Sequence, residues 1–254
     1  MKKFSSLLIV LLLMLASYTA GLEYPRGDVD QDGVVGISDV SCLIDYLLTG
    51  TWSDEPVTPP DNHEWVDLGL PSGTLWATCN VGADNPEDYG DYFAWGETDT
   101  EDYYDWDTYK WCDGTYVSMT KYCIQSDYGT VDNKTELDPE DDAAYVNWGP
   151  SWRIPTTEQQ QELVNNCTWT WTTLNNVKGQ LVTGPNGNTI FLPAAGYRCY
   201  WAVNDAGTRG YYWLRSLYPS YNDGAYLLYF TSAYADSDYY RRCNGQTVRP
   251  VRVP

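Results

Sequence analysis

The chain begins with an unbroken apolar run from Leu7 to Leu15, placed directly after the positive residues Lys2 and Lys3. Small residues follow the run, at Ala16, Thr19, Ala20 and Gly21. This pattern is typical of a secretory signal peptide, and the run is too short to span a bilayer. We therefore predict a signal peptide over residues 1–21 and an exported chain that is extracellular, at the cell surface or periplasmic. No other apolar run of this length follows, so we expect no transmembrane segment.

A helical repeat of apolar positions follows between residues 39 and 50. Its members lie at spacings i, i+3, i+4, i+7 and i+8, and they are Val40, Leu43, Ile44, Leu47 and Leu48. The spacing predicts one amphipathic helix, which Gly50 would end. The segment before residue 28 is short and contains Pro25, so it leaves no room for a preceding helix.

The loop that leads into this helix, Asp28 to Asp39, has a metal-binding pattern. It carries carboxylates at positions 1, 3, 5 and 12 and a glycine, Gly33, at position 6. This is the spacing of an EF-hand calcium loop, in which the sharp turn needs glycine. The predicted Ca²⁺ ligands are Asp28, Asp30, Asp32, the carbonyl group of Val34, and Asp39. The alternative is an acidic loop that is solvated and binds no metal.

A calcium loop with only an exiting helix resembles one repeat of a type I dockerin, here over residues 22–50. The segment Gly27-Asp28-Val29-Asp30 matches the opening of such repeats. The resemblance implies an EF-hand-like half-module and a cohesin-like partner. Dockerins normally carry two repeats, however, and this chain has no second Asp-x-Asp-x-Asp-Gly.

Residues 51–62 form a proline-rich stretch that we interpret as a linker to a larger domain, residues 63–254. Two helices are predicted in that domain. Asp138 is a helix N-cap followed by Pro139 at the first helical position, and this helix should run to about Asn147. Thr156 and Gln159 form a capping box that opens a second helix, to about Asn166.

The rest of the larger domain has the pattern of short strands and turns. Residues 180–183 and 189–192 flank a turn segment, Gly184 to Asn188, and predict a hairpin. Four more strands are predicted near the end of the chain, at 211–217, 226–232, 239–242 and 247–253. The predicted fold class is α+β with a mainly antiparallel sheet.

Several segments of the larger domain also carry a family resemblance. They are Val66 to Ala83, Tyr89 to Glu97, Ser151 to Thr156, Phe191 to Tyr197 and Gly245 to Val251. Together these segments resemble the Fibrobacter succinogenes major paralogous domain family over residues 64–254. The resemblance implies a C-type-lectin-like fold and an exported bacterial protein. Because most members of the family lack an assigned activity, it implies no reaction.

The same resemblance implies where a ligand would bind. It implies that eight positions lie where members of the family are free to differ: Leu214, Arg215, Tyr234, Asp236, Asp238, Tyr240, Arg242 and Asn244. In related C-type-lectin-like proteins such positions form the ligand face. The stretch from Gly196 to Gly245 contains eleven tyrosines together with Trp201 and Trp213. Tyrosine is favoured in binding loops, although some of these rings would pack in the core instead.

Composition and charge exclude several functions. The chain has 35 acidic and 15 basic side chains, a balance that argues against binding nucleic acid or anionic membranes. His63 is the single histidine and lies at the edge of the predicted linker, which argues against a histidine-dependent triad and against a multi-histidine metal site. Seven cysteines in an exported chain suggest disulfides, and Cys112 with Cys123 is the favoured pair.

Taken together, these features predict an exported, calcium-binding interaction protein with a tyrosine-rich face for a protein or glycan ligand. The alternative is an accessory component of polysaccharide breakdown, attached through the dockerin-like repeat and contacting glycan through aromatic side chains. An enzyme, either a glycan hydrolase or a modifying enzyme of the formylglycine type, is a third interpretation.

Overall fold

The computed structural model describes residues 63–252. The chain divides into two compact units, Met1–Asp61 and Asn62–Pro254. The predicted signal peptide, the calcium loop with its dockerin-like helix, and the linker lie outside the described residues. The second unit is the larger domain of the sequence analysis.

The described residues contain eleven strands, two α-helices and two short 3₁₀ turns. The strands are β1 (Trp65–Asp67), β2 (Leu75–Ala77), β3 (Thr168–Leu174), β4 (Val177–Thr183), β5 (Thr189–Pro193), β6 (Tyr197–Cys199), β7 (Ala202–Asn204), β8 (Gly210–Leu217), β9 (Gly224–Phe230), β10 (Ala235–Arg241) and β11 (Val251–Arg252). They form sheets of order β1-β2-β11, β3-β4-β5, β10-β9-β8 and β6-β7, and all neighbouring strands in these sheets are antiparallel. The α+β class is therefore confirmed.

The two helices are α1 (Ala143–Trp148) and α2 (Thr157–Asn166). The capping box of α2 is confirmed, because the Thr156 hydroxyl accepts from the Gln159 N–H and the Gln159 side chain accepts from the Thr156 N–H. No helix among the described residues is long and apolar enough to cross a membrane.

The predicted start of the first helix is wrong. Asp138 and Pro139 open a short 3₁₀ turn, Pro139–Asp141, and Asp138 makes no side-chain cap there. The N-cap of α1 is Asp142, whose carboxylate accepts from the Ala144 and Tyr145 N–H groups. The same carboxylate also accepts from the N–H of Ile154, 3.0 Å away. Asp142 therefore joins two segments, and its extended backbone (φ −93°, ψ 109°) separates the 3₁₀ turn from α1.

The predicted strands mostly form. The hairpin around Gly184 to Asn188 joins β4 to β5, with Thr183 opposite Thr189. Three of the four late strands correspond to β8, β9 and β10, whereas the fourth shrinks to Val251–Arg252. The predictions did not include β1, β2, β3 or the β6–β7 hairpin.

Strands β8 and β9 of the β10-β9-β8 sheet are covered on both faces. On one face Trp213 and Leu227 belong to a core that also contains Trp95 and Trp152. On the other face Leu228 and Phe230 pack with residues of α2 and of the β3–β5 sheet, among them Leu163 and Val182. Alternate residues of a strand point to opposite faces, so the long apolar runs of β8 and β9 follow from this double covering.

The favoured disulfide is also wrong. All six cysteines within residues 63–252 are free thiols. The Cys112 thiol donates to the Trp106 carbonyl at 3.2 Å, and the Cys123 thiol donates to the Gln125 carbonyl at 3.2 Å. The two thiols are thus engaged separately, and Cys123 is fully buried.

Candidate functional site

The most exposed large aromatic side chain of the domain lies at the tip of the β6–β7 hairpin. Cys199 pairs with Ala202, so the turn consists of Tyr200 and Trp201 alone. Tyr200 has a φ of 55°, a left-handed conformation that bulky residues rarely adopt. Two backbone hydrogen bonds hold it there: the Tyr200 N–H donates to the Tyr104 carbonyl at 2.9 Å, and the Tyr104 N–H donates to the Tyr200 carbonyl at 3.1 Å. The hairpin tip is therefore fixed to a neighbouring segment.

Three rings gather at this tip, and we call Tyr103, Tyr200 and Trp201 the aromatic platform. The Trp201 side chain is 74% exposed and that of Tyr200 is 48% exposed. The Tyr103 ring lies 4.3 Å from the Trp201 ring, centroid to centroid, and 5.6 Å from the Tyr200 ring. The platform thus presents aromatic surface to solvent while its rings support one another.

An open cleft of about 410 Å³ adjoins the platform. It is lined by Tyr197, Cys199, Tyr200, Trp201, Ala202 and Asn204. Because the cleft is open to solvent, it would contact one side of a ligand rather than enclose it. The lining combines apolar ring surface with the Asn204 amide, which suits a ligand that has both apolar and hydrogen-bonding faces.

Tyr197 connects the cleft to a second group of tyrosines on the sheet. Its ring lies 5.0 Å from that of Tyr211 and 4.9 Å from that of Tyr240, and Tyr211 lies 5.1 Å from Tyr229. Burial raises the pKa values of Tyr211 and Tyr240, so their hydroxyl groups stay protonated and able to donate. The Tyr211 hydroxyl donates to the Asp205 carboxylate at 2.8 Å.

Five of the eight predicted ligand-face residues are at least partly accessible. Tyr234 is 55% exposed, Asp236 and Asp238 are exposed, and Tyr240 and Arg215 are half-buried. Asp236, Asp238 and Tyr240 alternate along β10 and pair with Tyr229, Leu227 and Ala225 of β9. They therefore share one face of the sheet, next to the tyrosine group. Arg215 lies on β8, where its Nε donates to the Glu136 carboxylate at 2.7 Å.

The other three predicted face residues, Leu214, Arg242 and Asn244, are buried, so for them the prediction of a surface role is wrong. Leu214 is 1%, Arg242 0% and Asn244 2% exposed. The Arg242 guanidinium donates to the Tyr109 hydroxyl at 2.8 Å and to the carbonyl groups of Tyr122 and Asn222, each at 3.0 Å. The Asn244 amide donates to the Arg198 carbonyl at 3.2 Å. Both polar side chains thus satisfy buried backbone groups, which explains their positions.

Sequence reasoning missed Tyr103 and Tyr200 and did not assign Trp201 to the site. Strands of three residues give little periodic signal, and the turn between them contains neither glycine nor asparagine, the residues that usually mark a two-residue hairpin. The one available signal was the pair of consecutive bulky rings, Tyr200 and Trp201.

Glu97 is a buried carboxylic acid, only 5% exposed. Its Oε1 accepts from the Lys110 N–H at 2.7 Å. Burial raises its pKa to about 7, and the neighbouring carboxylates of Glu101 and Asp99 act in the same direction. Glu97 does not line the cleft, whose lining residues include no carboxylate, histidine or lysine.

Metal ligands are likewise not gathered in this domain. Within residues 63–252 no group of three or more His, Cys, Asp or Glu side chains is placed to hold a metal ion. The predicted calcium ligands, Asp28 to Asp39, lie outside the described residues.

Comparison with known proteins adds no relative. The chain matches no family model, no curated protein and no solved structure. The candidate site is therefore defined by its own geometry.

Proposed function

We propose that this chain is an exported, calcium-binding interaction protein whose larger domain binds a neutral, hydroxyl-rich glycan on the aromatic platform. The observation that carries the proposal is the Trp201 indole, 74% exposed at the end of a fixed hairpin. Leaving a large aromatic ring in water forgoes the stabilisation of burying it. The Tyr200 backbone conformation costs on the order of 1 kcal/mol or more. The exposed indole and the strained backbone occur together at one hairpin tip, and this supports a role in binding.

A glycan suits this surface for chemical reasons. The C–H face of a pyranose ring is apolar and flat, so it packs against an exposed aromatic face, while its hydroxyl groups need polar partners around the rings. Asn204 lines the cleft, and the Asp105 carboxylate accepts from the Tyr103 hydroxyl at 3.5 Å. These groups supply donors and acceptors next to the rings.

Charge restricts the class of glycan. Burial and the nearby carboxylates of Asp105 and Asp107 raise the pKa of Tyr103, and the whole chain has a formal net charge of −20. A polysaccharide rich in uronic acids or sulfate would be repelled by such a surface. Neutral polysaccharides are therefore the expected ligands.

The test is affinity electrophoresis of the purified protein in gels that contain a neutral or a uronic-acid polysaccharide. We expect retardation by at least one neutral polymer, lost in Trp201→Ala and weakened in Tyr103→Ala. The matched control is Trp65→Ala, because Trp65 is a second exposed tryptophan, 47% exposed, on β1. Binding that survives Trp201→Ala, or that is confined to uronic-acid polymers, would contradict the proposal.

A second candidate ligand is a protein that contacts the exposed side of β10. Tyr234 is 55% exposed and its ring lies 5.8 Å from that of Tyr229, next to the exposed carboxylates of Asp236 and Asp238. The resemblance to the Fibrobacter succinogenes major paralogous domain family, with its C-type-lectin-like fold, supports this use of the surface. Capture of a host or bacterial surface protein that depends on Tyr234 but not on Trp201 would favour this candidate.

The calcium part of the proposal depends on the loop from Asp28 to Asp39. We expect isothermal titration to show one Ca²⁺ per chain, and the double variant Asp28→Ala, Asp32→Ala to lose it. Asp54→Ala, which removes a carboxylate from the linker, should retain the ion. If the loop binds Ca²⁺, the dockerin-like repeat can be tested with a cohesin domain, and its function would be to anchor the glycan-binding domain.

A further inference from the structure

Strand β10 has one side that no other strand of residues 63–252 covers, because it lies at the end of the β10-β9-β8 sheet. Hydrogen bonds at its two ends fix which backbone groups face β9. The Arg242 N–H donates to the Asp223 carbonyl at 2.9 Å, and the Thr231 N–H donates to the Tyr234 carbonyl at 2.9 Å. In an antiparallel pair such bonds recur at every second residue. Even-numbered residues therefore bond to β9, and the N–H and C=O groups of odd-numbered residues point outward.

Two of these outward donors are already occupied by side chains of β10 itself. The Asp236 carboxylate accepts from the Ser237 N–H at 2.8 Å, and the Asp238 carboxylate accepts from the Tyr239 N–H at 2.8 Å. Aspartate is disfavoured within strands, so its presence at two alternate positions of a seven-residue strand needs a reason. Both carboxylates are exposed, and their hydrogen bonds close the edge from outside.

A second copy of this chain is the occupant that such an edge fits most directly. Antiparallel pairing about a two-fold axis at Asp238 would set Ser237 of one copy opposite Tyr239 of the other, and Ala235 opposite Arg241. The outward groups of Ser237 and Tyr239 would then be paired across the axis, and the Arg241 N–H would meet the Ala235 carbonyl. The Arg241 carbonyl already accepts from the Asn244 N–H at 3.1 Å within the domain. The same register would place the two Asp238 carboxylates directly opposite each other, which is destabilising for like charges.

We propose that Asp236 and Asp238 keep the β10 edge from pairing with a second copy of this chain, by occupying the Ser237 and Tyr239 N–H groups and by charge repulsion. An exposed and unprotected edge strand is a template for association. Without the two carboxylates, β10 becomes an interface for a strand-paired dimer.

The test compares variants of the whole exported chain by sedimentation velocity over a range of concentrations. The variant Asp236→Thr, Asp238→Thr removes both charges and both carboxylate acceptors while keeping the strand polar. We expect it to dimerise at least ten-fold more tightly than the unaltered protein. The variant Asp236→Asn, Asp238→Asn keeps a carbonyl acceptor at each position and should dimerise less than the threonine variant.

Three controls make the result specific. Asp84→Thr, Asp127→Thr removes two exposed carboxylates elsewhere and should leave the protein as it was. Adding Ser237→Pro to the threonine variant removes one outward N–H, which proline permits at an edge strand, and should abolish the dimer. Ser237→Ala in the same background also removes the hydroxyl that donates to Gln160 of α2 but keeps the N–H, so it should retain the dimer. A threonine variant that stays monomeric, or a dimer that survives Ser237→Pro, would overturn the proposal. If the asparagine and threonine variants dimerise with equal affinity, occupation of the Ser237 and Tyr239 N–H groups plays no part in protecting the edge.

Discussion

Two tryptophans twelve positions apart, Trp213 in β8 and Trp201 at the hairpin tip, have opposite surroundings. The Trp213 side chain is 1% exposed, and its indole N–H donates to the Phe93 carbonyl at 2.7 Å. The Trp201 side chain is 74% exposed. Both lie in the same tyrosine-rich stretch. The difference teaches that an aromatic-rich composition does not distinguish core from binding surface, and that strand register and turn geometry make that distinction.

The same contrast holds for the regions around the two residues. In the buried region the Trp213 and Arg242 side chains donate to backbone carbonyls, as does Trp95, whose indole N–H donates to the Leu214 carbonyl at 2.8 Å. At the hairpin, the backbone of Tyr200 is held in an unfavourable conformation and the rings face water. Stability and binding therefore depend on different residues and should respond separately to substitution.

The largest effect is expected at Trp213. Replacing it with alanine removes a fully buried ring and its hydrogen bond, so we expect the free energy of unfolding to fall by about 4–5 kcal/mol. Urea denaturation followed by circular dichroism measures this change. A loss below about 1 kcal/mol would show that this part of the core is not packed as described.

Arg242 should follow closely, because its guanidinium lies among buried acceptors rather than at the surface. Arg242→Ala leaves the Tyr122 and Asn222 carbonyls without this donor, and we expect a loss of about 3–4 kcal/mol. Asp84→Ala, at an exposed position away from the ligand face and β10, is the control and should stay within about 0.5 kcal/mol. If Arg242→Ala lost no more stability than the control variant, Arg242 would again be a candidate for the ligand face.

The sequence predicts some features of this domain and not others. The α2 capping box and the β4–β5 hairpin were predictable because each depends on residues within a few positions of one another. The burial of Arg242 was not, since Tyr109, one of its hydrogen-bond partners, is 133 residues away along the chain. The calcium ligands remain a prediction from the spacing of the loop.

The β6–β7 hairpin was missed for a different physical reason. Its turn uses Tyr200 at a φ of 55°, where turn chemistry favours glycine or asparagine. The conformation is sustained by hydrogen bonds to Tyr104, which is remote in sequence. A local pattern cannot show such long-range support, and this is the part of the domain where the candidate site lies.

Glu97 allows a pH-dependent test of the buried region of the domain. Burial raises its pKa from an ordinary value of 4.5 to about 7. Between these values the unfolded chain releases the proton while the folded protein retains it, so this group's contribution to stability falls as the pH rises from 4.5 to 7. Below pH 4.5 Glu97 is protonated in the folded and the unfolded protein, so this destabilisation is absent.

Glu97→Gln removes the titration and keeps an acceptor for the Lys110 N–H. We expect the variant to match the unaltered protein near pH 4.5 and to exceed it by about 2–3 kcal/mol at pH 8. Urea titrations at several pH values measure the difference. A difference that is constant with pH would mean that Glu97 ionises normally.

At the hairpin the effect on stability should be smaller than at Glu97, and opposite in sign to the losses expected at Trp213 and Arg242. Tyr200→Gly relieves the left-handed strain, so we expect the free energy of unfolding to rise by about 0.5–1 kcal/mol while glycan binding weakens. The control is Tyr234→Gly, because Tyr234 is similarly exposed but has no positive φ, and it should lose stability. If Tyr200→Gly also destabilises the fold, the Tyr200 ring serves packing rather than binding.

The smallest effect on stability is expected at Trp201. Because its side chain is 74% exposed, truncation to alanine uncovers little apolar surface, and the free energy of unfolding should change by less than about 0.5 kcal/mol. The same variant should lose its affinity for neutral glycan, by at least ten-fold. Denaturation and affinity electrophoresis on one preparation measure both quantities. A loss of more than about 1 kcal/mol would show that Trp201, like Trp213, belongs to the packing of the fold. Unchanged stability with lost binding would mean that the fold holds this ring in water for a ligand.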